Sequence, residues 1–221
     1  MSAAARVENL EFAWGGRTVL RGVSFLLASG ESAGLVGPNG AGKTTLLWCL
    51  MGLLRPSAGR VDVSERFAAV FQNPEDQLFM PSVLDDIMLP LENRGLPREE
   101  ARRRALAALA ATGLDGAADR PAHQLSLGEQ KRAALAAALA LEPDLLLLDE
   151  PTSELDPRSC RLLASHLNRL GCAKLIASHH LDFLARTTTR LLILDEGLIV
   201  ADGPTHELLA DAELLLRHGL K

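Results

Sequence analysis

The chain has 221 residues, of which 48% are hydrophobic and 23% are charged, a length and composition that suit one sizeable globular domain with a buried core. Its net charge is −5 and its pI is about 5.7, so the overall electrostatics give no reason to expect nucleic-acid binding. The N-terminus carries charge where a signal peptide would be apolar, and the longest uncharged apolar run, 133–141, is far shorter than a bilayer span of roughly 20 residues.

The first part of the chain has the pattern of strands followed by a helix. Strands are predicted at 6–12 and 18–27, with Gly15 and Gly16 as turn residues between them. A short apolar strand at 32–36 runs into a glycine-rich turn. The segment 43–53 is then predicted to be a helix, ended by Arg55, Pro56 and Ser57. Another strand is predicted at 67–71.

The stretch from about 75 to 141 is different in character. Segment 96–112 is rich in Ala, Leu, Arg and Glu, which are good helix formers, and Pro97 lies near its start. A second strong helix is predicted at 129–141. We therefore expect a helical subdomain, roughly 76–142, inserted in a single domain that spans 1–221.

Three short apolar runs follow, at 144–149, 174–178 and 190–195, and helical segments separate them. This alternation predicts an α/β fold with a mainly parallel sheet covered by helices.

The glycine-rich turn fits the pattern G-x-x-x-x-G-K-[ST] and lies between a predicted strand and a predicted helix, a context that argues against a plain turn matching by chance. Glycines let successive main-chain N–H groups point inward at phosphate oxygens, and the following helix adds its positive N-terminal end. Lys43 is expected to reach the β- and γ-phosphates and Thr44 to bind Mg²⁺. The predicted ATP-binding residues here are Gly37, Pro38, Asn39, Gly40, Ala41, Gly42, Lys43, Thr44 and Thr45.

Two acids, Asp149 and Glu150, end the apolar run 144–149. Acids at the carboxyl end of a strand lie where open α/β sheets bind ligands. Asp149 can join the Mg²⁺ shell, and Glu150 can orient or deprotonate a water for in-line attack on the γ-phosphate. Two solvated acids at the start of a loop are the alternative, which the phosphate-binding loop makes less attractive.

With these residues the sequence resembles the ATP-binding cassette (ABC) transporter ATPases, because six elements of that family occur here in the family's order. The resemblance covers nearly the whole chain. It implies a RecA-like α/β core of the P-loop NTPase type, an antiparallel β subdomain and an inserted α-helical subdomain. ATP and Mg²⁺ are the cofactors that it implies.

Two of the matching elements carry single residues. Trp14 stands where the family usually has a tyrosine that stacks on adenine, and tryptophan can stack equally well; core packing is the alternative. Gln72 matches the family glutamine that contacts Mg²⁺ and the attacking water; an exposed amide in a turn is the alternative.

The signature motif, usually Leu-Ser-Gly-Gly-Gln, is matched by Leu125, Ser126, Leu127, Gly128 and Glu129. Leu127 and Glu129 depart from the family pattern. A serine hydroxyl with free N–H groups at a helix start can bind an anion, and a simple N-cap is the alternative. In the family this motif grips the γ-phosphate that is bound by a second ATPase subunit, which implies a head-to-tail dimer.

Two further residues match elements that follow the acid pair. Asp156 is expected to link the two sites of the dimer, although Glu154 replaces the usual alanine; as a residue before Pro157, Asp156 is also a good helix N-cap. His179 matches the histidine that senses the γ-phosphate, and His180 stands where the family usually has aspartate. A metal site at this histidine pair is not favoured, because no further ligand has a suitable spacing.

Segment 70–79, Val-Phe-Gln-Asn-Pro-Glu-Asp-Gln-Leu-Phe, resembles the ATPases of energy-coupling-factor importers, which take up cobalt, nickel and vitamins such as biotin. Segment 211–220 resembles the cobalt and nickel members in particular. The resemblance implies membrane-embedded transporter subunits as partners and a location at the cytoplasmic face of the cell membrane.

The leading interpretation is therefore the ATP-hydrolysing motor of an importer. Three scattered cysteines, Cys49, Cys160 and Cys172, predict reduced thiols and agree with a cytosolic chain. A soluble cassette ATPase acting on nucleic acid or ribosomes is the alternative from another class, although neither a second cassette nor a long insert is present. A nucleotide-binding regulator without turnover is the third, and the presence of Glu150 and His179 argues against it.

Overall fold

The computed structural model describes residues 3–221, which divide into two compact units. The first unit runs up to Phe67 and adds Asp144–Glu150 and Gly171–Lys221; the second consists of Ala68–Pro143 and Pro151–Leu170. The elements in chain order are β1 (Ala3–Trp14), β2 (Arg17–Ala28), β3 (Ser32–Val36), α1 (Lys43–Leu50), β4 (Ala58–Val63), β5 (Phe67–Val70), α2 (Val83–Asn93), α3 (Arg98–Ala111), α4 (Leu127–Ala140), β6 (Leu145–Asp149), α5 (Pro157–Asn168), β7 (Ala173–Ala177), α6 (Leu181–Thr187), β8 (Arg190–Asp195), β9 (Leu198–Pro204), α7 (Thr205–Ala210) and α8 (Ala212–Arg217).

An antiparallel sheet in the first unit has the strand order β2-β1-β4. The predicted strands 6–12 and 18–27 are confirmed as β1 and β2, and both extend further than predicted. Gly15 and Gly16 make the turn with φ values of 52° and 86°, a left-handed geometry that two-residue hairpin turns require and that glycine adopts without strain. β4 was not predicted, because its largely exposed residues lack a continuous apolar pattern.

The other sheet of the first unit has the order β6-β7-β3-β8-β9. Strands β6, β7, β3 and β8 run parallel to one another, as predicted from the three apolar runs. Every residue of β6 and β7 is buried, which is typical of parallel strands covered on both faces. β9 pairs antiparallel with β8 and was not predicted.

Helix α1 ends at Leu50, so the predicted end at residue 53 is wrong. Met51 is its C-cap, and Gly52 follows with a φ of 73°. A glycine in the left-handed conformation just after the C-cap ends a helix, because this conformation turns the main chain away from the helix. The stop signal was therefore Gly52 rather than the later Pro56.

The second unit has a core between α2, α3 and α4, in which Ile87, Leu91, Leu109, Ala133 and Ala136 are buried. The predicted helix 96–112 is α3. The predicted helix 129–141 is α4, which begins two residues earlier at Leu127. The proposed inserted subdomain, roughly 76–142, falls within this unit, which also takes in 151–170.

Among residues 3–221, no helix combines the length and the apolar character that crossing a membrane requires.

Replacement of Gly59 in β4 by alanine should destabilise the protein more than the same replacement of Gly22. Its φ is +84°, and a Cβ there would lie 2.2 Å from the Asn9 carbonyl oxygen of β1. Gly22 in the same sheet has a φ of +85° with nothing within 4 Å of its Cβ position. Both alanine variants bear about 1–2 kcal/mol of left-handed strain. Gly59→Ala must also displace β1, at a further cost of about 1–3 kcal/mol.

Urea unfolding of the two variants measures this difference. Gly59→Ala should unfold at the lower urea concentration, and equal midpoints for Gly59→Ala and Gly22→Ala would contradict the packing argument.

Candidate functional site

The loop between β3 and α1 is closely packed around its glycines. A Cβ on Gly37 would lie 2.0 Å from the Leu194 carbonyl oxygen, and one on Gly42, whose φ is +108°, would lie 2.9 Å from Leu20. Larger residues at either position would force the loop main chain outward. The loop therefore brings its backbone N–H groups close to the start of α1, where the helix end favours an anion.

Lys43, the first residue of α1, lies with its side chain inside this loop. Its Nζ donates to the carbonyl oxygens of Gly37 at 2.7 Å and Pro38 at 3.2 Å. Burial lowers the pKa of Lys43, and the negative charges of Glu150 and Asp149 oppose that shift. The arrangement holds a positive charge where the phosphates of a nucleotide would lie.

Asp149 ends β6 and is only 3% exposed. Burial raises its pKa, the hydrogen bond from the Thr44 side chain lowers it, Glu150 raises it and Lys43 lowers it. Among the described residues, Asp149 Oδ1 is one of the few buried side-chain atoms without a hydrogen-bond partner. A buried, unpaired carboxylate oxygen beside a threonine hydroxyl fits the all-oxygen coordination that Mg²⁺ prefers.

Glu150 and His179 meet at the carboxyl ends of β6 and β7. Glu150 Oε2 lies 2.8 Å from His179 Nδ1 and accepts from the His179 main-chain N–H at 3.3 Å. Glu150 has a φ of 43°, and its N–H donates to the Ala177 carbonyl oxygen at 2.8 Å. A glutamate in the left-handed region is strained, and such strain is found at functional sites. The pair can orient a water or take a proton from it.

The rings of His179 and His180 lie edge to face, with centroids 4.2 Å apart. The His180 N–H donates to the buried Ser178 Oγ at 3.1 Å. His180 thus helps to shape the turn that presents His179.

A cleft of about 500 Å³ lies beside the loop, within the first unit. Trp14 is half exposed at its wall and makes an edge-to-face contact with Phe12, with ring centroids 5.2 Å apart. The cleft is lined by Trp14, Arg17, Thr18, Val19, Arg21, Pro38, Asn39, Gly40, Ala41, Asp195, Glu196 and Gly197. Trp14 and the loop were predicted as parts of a nucleotide site, but the lining residues of β2 and the β8–β9 turn were not, since no motif marks them.

Gln72 belongs to the second unit, where it is exposed just after β5. The neighbouring Gln77, which the sequence analysis did not single out, has a structural role. Its Oε1 accepts from the Phe71 N–H at 2.8 Å, and its Nε2 donates to the Ala69 carbonyl oxygen at 2.9 Å. These two bonds fix the end of β5 and the position of the Gln72 backbone.

Ser126 is the N-cap of α4 and forms a capping box with Glu129. Glu129 Oε2 accepts from the Ser126 N–H at 2.8 Å and from its hydroxyl at 2.7 Å. The Ser126 main-chain bond, followed by the hydroxyl bond, holds the pKa of Glu129 below its usual range. The carboxylate therefore folds back onto the exposed serine, and Leu127 forms the first turn of the helix.

Asp156 is the N-cap of α5 and is exposed in the second unit. Its Oδ1 accepts from the N–H groups of Arg158 at 2.8 Å and Ser159 at 3.0 Å. The N-cap alternative is therefore observed, and its exposed position leaves a role in a partner contact open as a proposal.

The structure thus brings Lys43, Thr44, Asp149, Glu150 and His179 together in the first unit. Gln72, Ser126, Leu127, Gly128, Glu129 and Asp156 lie in the second unit, each at the start or end of a helix or strand.

Comparison with known proteins agrees with this geometry. Residues 20–153 match the family described as ABC transporter. A protein of Gloeobacter violaceus, named as a candidate ATP-binding protein of an ABC transporter, is 46% identical over 97% of this chain and 95% of its own. The energy-coupling factor transporter ATP-binding protein EcfA of Methanothermobacter thermautotrophicus is 39% identical over 93% of this chain and 72% of its own.

Among solved structures, cbiO1 of Clostridium perfringens, described as part of the ABC transporter complex cbiONQ, aligns with a TM-score of 0.84 and 33% identity over 100% of this chain and 96% of its own. A nucleotide-free ATP-binding cassette aligns with a TM-score of 0.85 and 25% identity over 97% of this chain and 98% of its own. The fold is therefore the P-loop NTPase fold of ABC ATPase domains. The family match covers more than half of the chain, and the chain belongs to the ABC transporter family as an ATP-binding subunit that hydrolyses ATP.

Proposed function

We propose that this chain is the motor of an energy-coupling-factor importer that takes up cobalt or nickel ions or a vitamin such as biotin. Segment 70–79 and the C-terminal segment 211–220 support this branch of the family. The likeness to an EcfA protein and to cbiO1, whose description names a cbiONQ complex, supports it further. The motor acts at the cytoplasmic face of the membrane.

One observation supports ATP hydrolysis at this site: four side chains lie together at one edge of the parallel sheet, namely Lys43, Asp149, Glu150 and His179. Lys43 and the loop N–H groups bind the β- and γ-phosphates of ATP. Thr44 and Asp149 would hold Mg²⁺, and a contact of Gln72 with Mg²⁺ stays a prediction. When bound, Mg²⁺ would neutralise the negative charge that develops during phosphoryl transfer.

Glu150 positions the attacking water and accepts its proton. The bond of 2.8 Å between Glu150 Oε2 and His179 Nδ1 fixes the carboxylate for this role. His179 is about half exposed, so its ring can contact the γ-phosphate. Glu150 thereby holds the attacking water in line with the phosphorus, which lowers the entropic part of the barrier.

ATP binding is completed by a second copy of the cassette, either identical or related. Ser126, Leu127, Gly128 and Glu129 of one subunit close over the nucleotide of the other. Asp156 contacts the opposite subunit and couples the two sites. ATP then favours the closed dimer and ADP the open one, which converts hydrolysis into a conformational change.

The segment after Gln72 is proposed to contact the membrane-embedded partner. Phe79 is 68% exposed and borders a groove of about 250 Å³ lined by Glu75, Leu78, Phe79, Met80, Ala122, His123 and Gln130. Buried Asp86 of α2 accepts from the N–H groups of Phe79 at 2.8 Å and Met80 at 2.9 Å. These bonds fix an exposed aromatic residue beside a groove, an arrangement that suits an apolar helix of a partner.

Replacement of Trp14 should weaken ATP binding by removing a contact with the adenine base while the phosphate contacts remain. Trp14→Ala should raise the Kd for ATP about 5- to 150-fold, because stacking on a base contributes roughly 1–3 kcal/mol. Trp14→Tyr should bind like the original chain. Calorimetric titration with ATP and with inorganic tripolyphosphate separates base from phosphate contacts. An equal loss for both ligands would contradict the stacking role.

Neutralisation of Glu150 should stop turnover and leave binding intact. Glu150→Gln should lower kcat by at least about 100-fold, since general-base catalysis contributes on the order of 10²–10⁴, and an ATP-bound dimer should accumulate. Phosphate release and light scattering with ATP measure the two effects. Glu142→Gln is the control, because Glu142 also has a left-handed φ, of 50°, but is exposed after α4. Normal turnover in Glu150→Gln would refute the role of Glu150.

The importer itself is tested by expressing the chain with the membrane proteins encoded beside its gene. We expect co-purification in detergent and ATP-dependent uptake of labelled cobalt, nickel or biotin into membrane vesicles. Phe79→Asp should abolish both. Leu216→Asp changes a similarly exposed residue, at 62%, and should retain both. Association with ribosomes or nucleic acid instead of a membrane protein would overturn the proposal.

A further inference from the structure

A buried lysine connects two parts of the second unit. Lys131 lies on α4, five positions after Ser126, and is 3% exposed. Its Nζ donates to the Ser153 Oγ at 2.7 Å. Ser153 belongs to the loop 151–156, which leads from Glu150 to Asp156, so the bond ties the helix of the signature motif to the loop that carries Asp156.

A second contact joins the same two parts. A Cβ on Gly128 would lie 2.9 Å from the Ser159 Oγ and 3.8 Å from Leu155 Cδ2. The φ of Gly128 is not positive, so a larger residue here would disturb the close contact with the Ser159 side chain and not the backbone conformation. Ser159 in turn donates through its hydroxyl to Asp156 Oδ2 at 2.6 Å.

The loop 151–156 needs such contacts to keep one conformation. Glu154 has a φ of 61°, a conformation that disfavours a residue with a side chain. Strained residues persist only where their surroundings hold them. Burying a lysine amino group is also costly, whereas methionine would fill a similar volume without that cost. A role in positioning gives a reason for a lysine at this place.

We infer that Lys131 is a positioning residue that holds Ser126 and Asp156 as one rigid element. The inference rests on the proposed function, in which Ser126 grips the partner's nucleotide and Asp156 contacts the opposite subunit. The contacts of Lys131 and Gly128 fix the signature helix and the loop to each other. Ser126 and Asp156 therefore contact the partner subunit in a fixed relative position.

Lys131→Met tests this inference, since it keeps the length of the side chain and removes the amino group. ATP affinity of the isolated subunit should stay unchanged, because Lys43 and the loop 37–45 are intact. Dimer formation with ATP in a Glu150→Gln background should weaken at least tenfold, and kcat should fall at least tenfold. A purely structural role would lower stability without this split between binding and turnover.

Ser153 provides an independent test from the other side of the bond. Ser153→Ala should reproduce the loss of kcat and of dimer formation, and Ser153→Thr, which keeps the hydroxyl, should restore both. The double variant Lys131→Met with Ser153→Ala should lose less than the sum of the two single losses, because both changes remove the same bond.

Lys174→Met is the matched control for the loss of a buried lysine. Lys174 is 4% exposed on β7, and its Nζ donates to the Cys172 carbonyl oxygen at 3.1 Å. This variant should leave kcat and dimer formation unchanged. A drop in kcat for Lys174→Met equal to that of Lys131→Met would overturn the inference.

The remaining outcomes separate the inference from the function on which it rests. Normal kcat and dimer formation in Lys131→Met and Ser153→Ala would overturn the inference alone, as would additive losses in the double variant. An original chain that binds ATP but neither dimerises nor hydrolyses it would contradict the proposed function, and the inference with it.

Discussion

The parallel alignment of β3, β7 and β6 is the constraint on which the catalytic geometry depends. Leu35 of β3 and Asp149 of β6 both pair with Ala177 of β7, so the three strands end at one level. The phosphate-binding loop follows β3, Glu150 follows β6, and His179 follows β7. Neighbouring strands are about 4.8 Å apart, which brings three groups from distant parts of the sequence within reach of one phosphate.

The buried charges at this edge of the parallel sheet favour the binding of a charged ligand. Burial disfavours the charged forms of both Lys43 and Asp149, and each charge partly offsets the cost of the other. Asp149 Oδ1 is buried without a hydrogen-bond partner. The phosphates of ATP would pair with the ammonium group, and Mg²⁺ would pair with the carboxylate, so the nucleotide and its metal remove the cost that burial imposes.

The second unit explains why the altered signature motif keeps its local structure. Leu127 replaces a glycine at a position in the first turn of α4, where a side chain fits. A Cβ on Gly128 would displace the Ser159 hydroxyl from its present position. Glu129 closes a capping box on Ser126, and the serine hydroxyl must change acceptor before it can bind a phosphate. The departures from the family pattern therefore alter the chemistry of this helix start more than its shape.

Local rules were enough to predict many of the elements from the sequence. Periodicity and turn residues predicted the parallel strands and α3, and the spacing of glycines and Lys43 predicted the phosphate-binding loop. Asp149 and Glu150 were predicted as site residues from their place at the end of an apolar strand, and His179 from the resemblance to the ABC family. The same rules also gave errors. They did not predict β4 and β9, whose apolar patterns are weak, and they placed the end of α1 too late because Gly52 ends it before the proline.

Which side chains contact one another depends on the folded arrangement of the strands and helices. The bond between Glu150 and His179, the lining of the nucleotide cleft by β2 and the β8–β9 turn, and the link between Lys131 and Ser153 join residues that are far apart in the chain. Strand order and helix packing set these contacts, and they arise from burial of apolar surface summed over many residues. Such a sum leaves no local signal in the sequence, so these pairs could not be predicted from it.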